Sequence, residues 1–259
     1  MVAGLERFAE RLGRFADSFV LIGGAACDLW MGEQELRFRA TEDLDIVVVV
    51  NSVDDDFIRE FWDFIREGEY ATHQQSQERP DFYRFAAPKH GAYPAQIELL
   101  TRNGLGLPDD ARFTPIPAGE DLSSLSAILM DGGYYDYVLS SRITINGVPT
   151  VPAQCLIPLK AKAHLDLKAR RDGGDTRVRG GDIRKHRNDV FVLAQTLAPD
   201  DRYPLPYELK GDLGAFLATL PADSADWQAI NQSVQTVLGA DYAIDPDEVR
   251  ILLTDVFEL

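Results

Sequence analysis

Two carboxylates separated by one residue, Asp43 and Asp45, are the residues whose type and spacing most directly suggest chemistry in this chain. On a strand, residues i and i+2 project to the same side. Carboxylates held side by side repel, which raises the cost of ionising both unless a cation lies between them. Oxygen-only ligands of this kind suit Mg²⁺ or Mn²⁺, bound by one or two carboxylates together with phosphate oxygens and water. Glu98, in the segment AQIELL, interrupts the apolar face of a short strand and offers a third acid. Two metal ions held by such a trio could activate an attacking hydroxyl and stabilise a departing pyrophosphate. D-x-D by itself is a weak motif, because a turn aspartate followed by an exposed strand aspartate has the same form.

A second feature lies upstream. In VLIGGAACDLW an apolar strand ends in Gly23-Gly24 and a helix-patterned stretch follows. Glycine lets backbone N–H groups approach phosphate oxygens, and a helix N-terminus favours negative charge. A tight turn is the ordinary meaning of a lone Gly-Gly pair. Between the two features, in RFRATEDLD, Arg39 and Thr41 alternate with Asp43 and Asp45. If all four lie on one strand they share a side, and Arg39 either balances the carboxylates or meets a phosphate. A half-exposed strand without a site shows the same alternation.

Positioning these residues requires a sheet, and the chain has the patterning for one. Apolar residues at helical spacing predict a first helix over about 5–16, followed by the strand FVLI, the glycine turn and a second helix. The run IVVVV after Asp45 reads as a central strand covered on both faces. Phe57, Phe61, Phe64 and Ile65 share one face of a helix over 53–66. Strands are expected at 82–87 and 95–101, a long Gly/Pro/Asp-rich loop at 104–119 and a short helix near 121–130. Further strands are expected at Tyr135–Leu139 and Arg142–Ile145, with Asn146-Gly147 as a turn signal. After Pro152 the pattern is helical, interrupted by the polar stretch RRDGGDTRVRGGD and resuming through Val190, Leu193, Ala194 and Leu197. Later helices are expected at 208–220, 226–238 and 247–257. The fold class expected is therefore α/β (α+β): a mixed sheet with flanking helices over 1–151, then an all-helical domain over 152–259.

Composition sets bounds on the partners. Of the 259 residues, 45% are hydrophobic and 26% charged, ordinary values for a globular chain. The N-terminal stretch lacks the uninterrupted apolar core of a signal peptide, and IVVVV is too short to span a bilayer, so a cytoplasmic location with no membrane partner is expected. Cys27 and Cys155 stand in no metal-ligand array and read as buried packing residues. A net charge of −16 argues against broad nonspecific nucleic-acid binding. Yet between Lys160 and Arg187 ten Lys/Arg face four Asp, a net of +6 that leaves −22 elsewhere. Such a segment fits a focused anionic ligand, a triphosphate or an RNA end, or simply a solvated basic helix.

Taken in order, helix, Gly-Gly, helix, R-x-T-x-D-x-D and a later strand acid resemble the nucleotidyltransferase superfamily that includes DNA polymerase β. Within it the likeness is to the AbiEii-like toxins of abortive-infection and toxin–antitoxin systems. Gly23 and Gly24 match the turn of that pattern, Arg39, Thr41, Asp43 and Asp45 its strand, and Glu98 its third acid. Lys160 in LIPLKAKAHL matches a helical lysine that the resemblance places against nucleotide phosphates, while Lys162 lies about 200° away around the helix. In IRKHRNDVFVLAQTL, Lys185 and Asp189 match the final motif; His186 stands where the related pattern often has an acid. The likeness spans about two-thirds of the chain, residues 18 to 197.

The resemblance implies metal-dependent transfer of an NMP group from an NTP to an acceptor hydroxyl, with pyrophosphate released. Asp43, Asp45 and Glu98 are then the catalytic and metal-binding residues. Gly23, Gly24, Arg39, Thr41, Lys160, Lys185 and Asp189 are the nucleotide-binding ones, and the helical domain closes the nucleotide cleft. The acceptor is a tRNA 3′ end, a protein or a small molecule, and an antitoxin protein is an expected partner. Alternatives are a catalytically inactive nucleotide-binding regulatory or interaction module, and an antibiotic-modifying type of nucleotidyltransferase. Other residues have two readings each. His164 and His186 are acid/base groups or partly buried histidines. Asp189 orients Lys185 or a ribose, or sits near a helix start. Tyr134, Tyr135 and Tyr137 stack a base or pack in a strand.

Overall fold

The structure, a computed structural model, describes residues 2–49, 52–71, 82–100 and 132–259. The loop expected at 104–119 and the helix expected near 121–130 lie outside the described residues. The chain divides into two compact units, one comprising Met1–Leu29 and Ala40–Val151, the other Trp30–Arg39 and Pro152–Leu259.

The first unit is built on a four-stranded mixed sheet. Its strands are β1 (Phe19–Ile22), β2 (Asp43–Val48), β3 (Phe82–Ala86) and β4 (Gln96–Leu100), in the order β1-β2-β4-β3. β2 and β4 run parallel, whereas β1 with β2 and β3 with β4 are antiparallel. All four residues of β1 are buried, as are Leu44, Ile46, Val47 and Val48 of β2. Asp43 and Asp45 are only partly exposed on the alternate positions.

Helices α1 (Leu5–Leu12) and α3 (Asp55–Glu67) cover the sheet with an aromatic cluster. Phe8 meets both Phe19 and Phe64 edge-on at 5.5 Å, and Phe61 meets Phe85 at 5.6 Å. The expected apolar face of α3 is thus the face that is buried. Asp54 caps this helix by accepting a 2.7 Å hydrogen bond from the Phe57 N–H. The chain after α1 tightens into a 3-10 turn at Gly13–Phe15 rather than continuing to residue 16 as an α-helix.

Residues Tyr135–Leu139, expected as a strand, belong instead to helix α4 (Gly132–Ser140). Tyr134, Tyr135 and Val138 are buried at the i, i+1, i+4 spacing of a helical face, so packing overrides the strand preference of the tyrosines. The Tyr135 hydroxyl donates to the Val48 carbonyl at 2.9 Å. Next comes a hairpin of β5 (Ile143–Ile145) and β6 (Val148–Thr150), joined by Asn146-Gly147 with φ of 50° and 78°. Those positive values define the tight turn that the Asn-Gly pair favours. Thr150 Oγ1 ties the hairpin to the sheet by donating to the Leu21 carbonyl at 3.0 Å.

The second unit is largely helical. It contains α5 (Ala153–Asp172), α6 (Gly180–Ala194), α7 (Tyr207–Ala218), α8 (Asp226–Leu238) and α9 (Pro246–Val256). Phe191 on α6 is central to its core, with Trp227 at 4.9 Å and Phe216 at 5.9 Å. Cys155 is buried here, and Cys27 is buried in the first unit. Among the described residues no helix is long and apolar enough to cross a membrane.

Candidate functional site

Helix α2 (Gly23–Glu33) begins directly where β1 ends, so Gly23 is its first residue. Ile22 is the register partner of Asp45 across the β1–β2 pair, which brings the start of α2 against the acidic strand. The approach is so close that a Cβ at Gly23 would collide with the Asp45 carboxylate, standing 2.7 Å from its Cγ. Gly23 also has φ of +71°, where a side chain is strained. A Cβ at Gly24 would lie 2.5 Å from Thr41 Oγ1. The glycine pair is therefore packed on Thr41 and Asp45, with the first backbone N–H groups of an eleven-residue helix beside them.

Across the parallel pair, Asp43 is in register with Gln96 and Asp45 with Glu98. Residues in register on neighbouring strands share a face, so all three acids stand on one side of the sheet. Glu98 is 2% exposed. Its Oε1 accepts from Arg84 Nε and from Gln96 Nε2, both at 2.9 Å. Its Oε2 is buried and has no hydrogen-bond partner among the described residues. Arg84 and Gln96 were not expected as site residues. The one local signal for Arg84 is a charged residue within the aromatic strand FYRFA, and only the β3–β4 register shows that it stands opposite Glu98.

The donor set suits a hard divalent cation, since it consists of carboxylates and leaves one buried carboxylate oxygen unsatisfied. With the side chains as they stand, no group of three His, Cys, Asp or Glu among the described residues is gathered as a metal site. Glu98 is held by Arg84 instead, and binding an ion through all three acids requires side-chain rotation.

Arg39 and Thr41 precede β2 and are not on it, which corrects the expected four-residue alternation. Thr41 instead packs on Gly24, and Arg39 is part of a separate cluster within the second unit. There Arg39 Nε and Nη2 donate to the two oxygens of Asp189 at 2.8 and 2.7 Å, a bidentate pair. Lys160 Nζ lies 2.9 Å from Asp189 Oδ2. Lys160 and Asp189 are both 2% exposed. Burial would raise the Asp189 carboxyl, but the charge of Lys160 and the hydrogen bonds from Arg39 outweigh it and bring it down to about 2.

Asp189 is in the interior of α6, not near its start, because the helix begins at Gly180, ten residues before the apolar pattern that resumes at Val190. His186, one turn before it, is pushed well below the usual histidine range by burial and then by Lys160, against the opposing charge of Asp189. Lys185 is exposed on the same helix. His164 is also buried, with Nδ1 3.0 Å from the Ile183 carbonyl oxygen.

Pairing with acids neutralises much of the basic segment. Lys162 pairs with Asp166 and Asp212, Lys168 with Asp172, Arg170 and Arg177 with Asp175, and Arg187 with Asp226. No family model matches the chain, and no curated protein matches it in sequence.

Proposed function

We propose that this chain is a metal-dependent nucleotidyltransferase of the DNA-polymerase-β type, transferring an NMP group from an NTP to an acceptor hydroxyl. The observation that carries this reading is the register of Asp45 with Glu98, with Asp43 two residues along the same face and Gly23 pressed on Asp45. Carboxylates on a sheet face beside the N–H groups of a helix start suit a cation and a polyphosphate together.

In this reading Asp43 and Asp45 hold the divalent ions, and Glu98 serves as a further ligand or takes the acceptor proton. When bound, those ions stabilise charge on the leaving pyrophosphate and acidify the attacking hydroxyl. Gly23 and Gly24 offer backbone N–H groups to phosphate oxygens, and Thr41 supports the turn. Arg39, Lys160 and Lys185 are assigned to phosphate, with Asp189 holding the first two of these cations. Transfer of this kind depends on positioning and charge stabilisation more than on covalent chemistry by the protein. A toxin role, with an antitoxin protein as partner, is part of the same proposal.

A second reading, a nucleotide-binding module without transfer, is favoured by the hold of Arg84 and Gln96 on Glu98 Oε1. The two are separated by thermal unfolding with each NTP, with and without Mg²⁺, on wild type and on Asp43→Ala/Asp45→Ala, followed by assay of pyrophosphate release. A ligand at a hundred times its Kd adds about 2.7 kcal/mol, well within reach of such a melt. A Mg²⁺-dependent rise for one NTP, lost in the double variant and accompanied by pyrophosphate release, supports the transferase. The rise without release supports the binding module. No rise with any NTP in folded wild type overturns both.

A further inference from the structure

A cavity of about 340 Å³ opens within the second unit, lined by His164, Lys168, Arg171, Asp172, Arg187 and Asp226 among others. None of Arg39, Lys160 and Asp189 lines it, and Arg187 stands two residues from Asp189, about 200° around α6. Arg187 has a side chain only 5% exposed. Its Nη1 lies 2.7 Å from Asp226 Oδ1, and its Nε donates to Asn188 Oδ1 at 3.2 Å. Its Nη2 is buried and, among the described residues, has no hydrogen-bond acceptor. A buried guanidinium nitrogen without an acceptor is costly, and an oxyanion is the partner that relieves it.

The surroundings have the same sign. Lys168 lines the cavity with its Nζ 2.7 Å from Asp172 Oδ2. Arg171 is exposed at the end of α5, and its guanidinium packs over the first residue of α6, where a Cβ on Gly180 would lie 2.5 Å from Nη1. Arg184 Nη1 stands 3.1 Å from that same point. Three cations therefore line the cavity against two acids, Asp172 and Asp226. His164 adds no positive charge near neutral pH, because burial lowers its imidazole, opposed by its bond to the Ile183 carbonyl and reinforced by Arg187 and Lys168.

We propose that this cavity binds the phosphate group of a phosphate monoester, gripped by Arg187 and Arg171 with Lys168 at the rim. Guanidinium forks match phosphate oxygens in pairs, and the volume accommodates a sugar-sized body in addition to the phosphate. The site is independent of the acid trio and does not need the transferase reading to hold.

The test is isothermal titration calorimetry at low ionic strength, without NTP or divalent cation. The probes are inorganic phosphate, ribose 5-phosphate and a short RNA with a 5′-phosphate or a 5′-hydroxyl. The proteins are wild type, Arg187→Gln, Arg171→Gln, Lys168→Gln and Asp43→Ala/Asp45→Ala, each checked for fold by circular dichroism. Saturable binding is expected for at least one phosphate-bearing probe, weakened about tenfold or more by Arg187→Gln or Arg171→Gln, as for loss of a charged hydrogen bond. Asp43→Ala/Asp45→Ala should bind as wild type does, so failure here and failure of the transferase reading are separable. Binding of phosphate or ribose 5-phosphate identifies a free metabolite; binding of only the 5′-phosphorylated RNA identifies a nucleic-acid end. If Arg187→Gln does not fold, the exposed positions Arg171 and Lys168 decide. No saturable binding of any probe, or binding unchanged in the folded variants, overturns the proposal.

Discussion

The carboxylate of Asp45 occupies space that a side chain on Gly23 would need, although the two residues are separated by twenty-one others. Glycine at this position is thus required twice, for the contact and for a φ of +71°. Gly23→Ala is expected to destabilise the fold by about 1–3 kcal/mol from backbone strain alone, with the collision adding to it. In denaturant unfolding, adding Asp45→Ala to Gly23→Ala should recover the collision part and leave the strain. A strictly additive double variant would show that the contact carries no weight.

Glu98 and Arg84 form a charged pair on this sheet, at 2.9 Å with Glu98 nearly buried. Glu98→Ala removes the buried carboxylate that accepts from Arg84 Nε and Gln96 Nε2, and should cost about 3–5 kcal/mol. Glu98→Gln keeps an acceptor oxygen and should cost less, while still removing any Mg²⁺-dependent NTP stabilisation. Equal losses in chemical denaturation for the two variants would contradict this ordering.

Asp189 binds two cations and has its carboxyl lowered to about 2. A depressed carboxyl stabilises the fold above the unfolded value near 3.9, and that contribution is lost as pH falls through about 2. The shift corresponds to about 2–3 kcal/mol. Wild type should therefore lose more stability than Asp189→Asn between pH 4 and pH 2, read as the difference in urea midpoints. Parallel profiles would refute the assignment.

The opposite ionisation applies to His186, buried and depressed well below its usual range. As pH drops below about 6.5 the unfolded chain gains a proton that folded His186 does not accept. Stability then declines by up to about 1.4 kcal/mol per pH unit for this group. His186→Gln should show a flatter profile between pH 6.5 and 5 in thermal melts, with His164 supplying the residual slope. An unchanged slope would mean that His186 protonates freely in the folded state.

Asn146-Gly147 gives a local prediction. Gly147→Ala, at φ of +78° with open space around its Cα, should cost about 1 kcal/mol from conformation alone. A measured loss several times larger would indicate that the hairpin has partners beyond its own turn.

What could be read along the chain is what depends on neighbours a few residues apart. The buried face of α3, the strand after Asp43, the Asn146-Gly147 turn and the helices after Pro152 each follow from local periodicity or turn chemistry. Tyr135–Leu139 defeated that approach, because aromatic residues satisfy either period and packing made the choice. The glycine pair, Thr41 and the acids were legible as residue types with a shared chemistry. Which of them touch was not.

Register decided the rest. A slip of one residue between β2 and β4 would send Asp45 and Glu98 to opposite faces, and no local pattern excludes that slip. Asp189 and Arg39 are 150 positions apart, and nothing near either one specifies the other. The sequence by itself determined most of the elements, Tyr135–Leu139 excepted, and supplied the acids, the glycines and the buried cations. Only the tertiary structure decided that Glu98 faces Arg84 and that Asp189 holds Arg39 and Lys160. The physical reason is that charge pairing in a buried setting acts through space, while periodicity acts only along the chain.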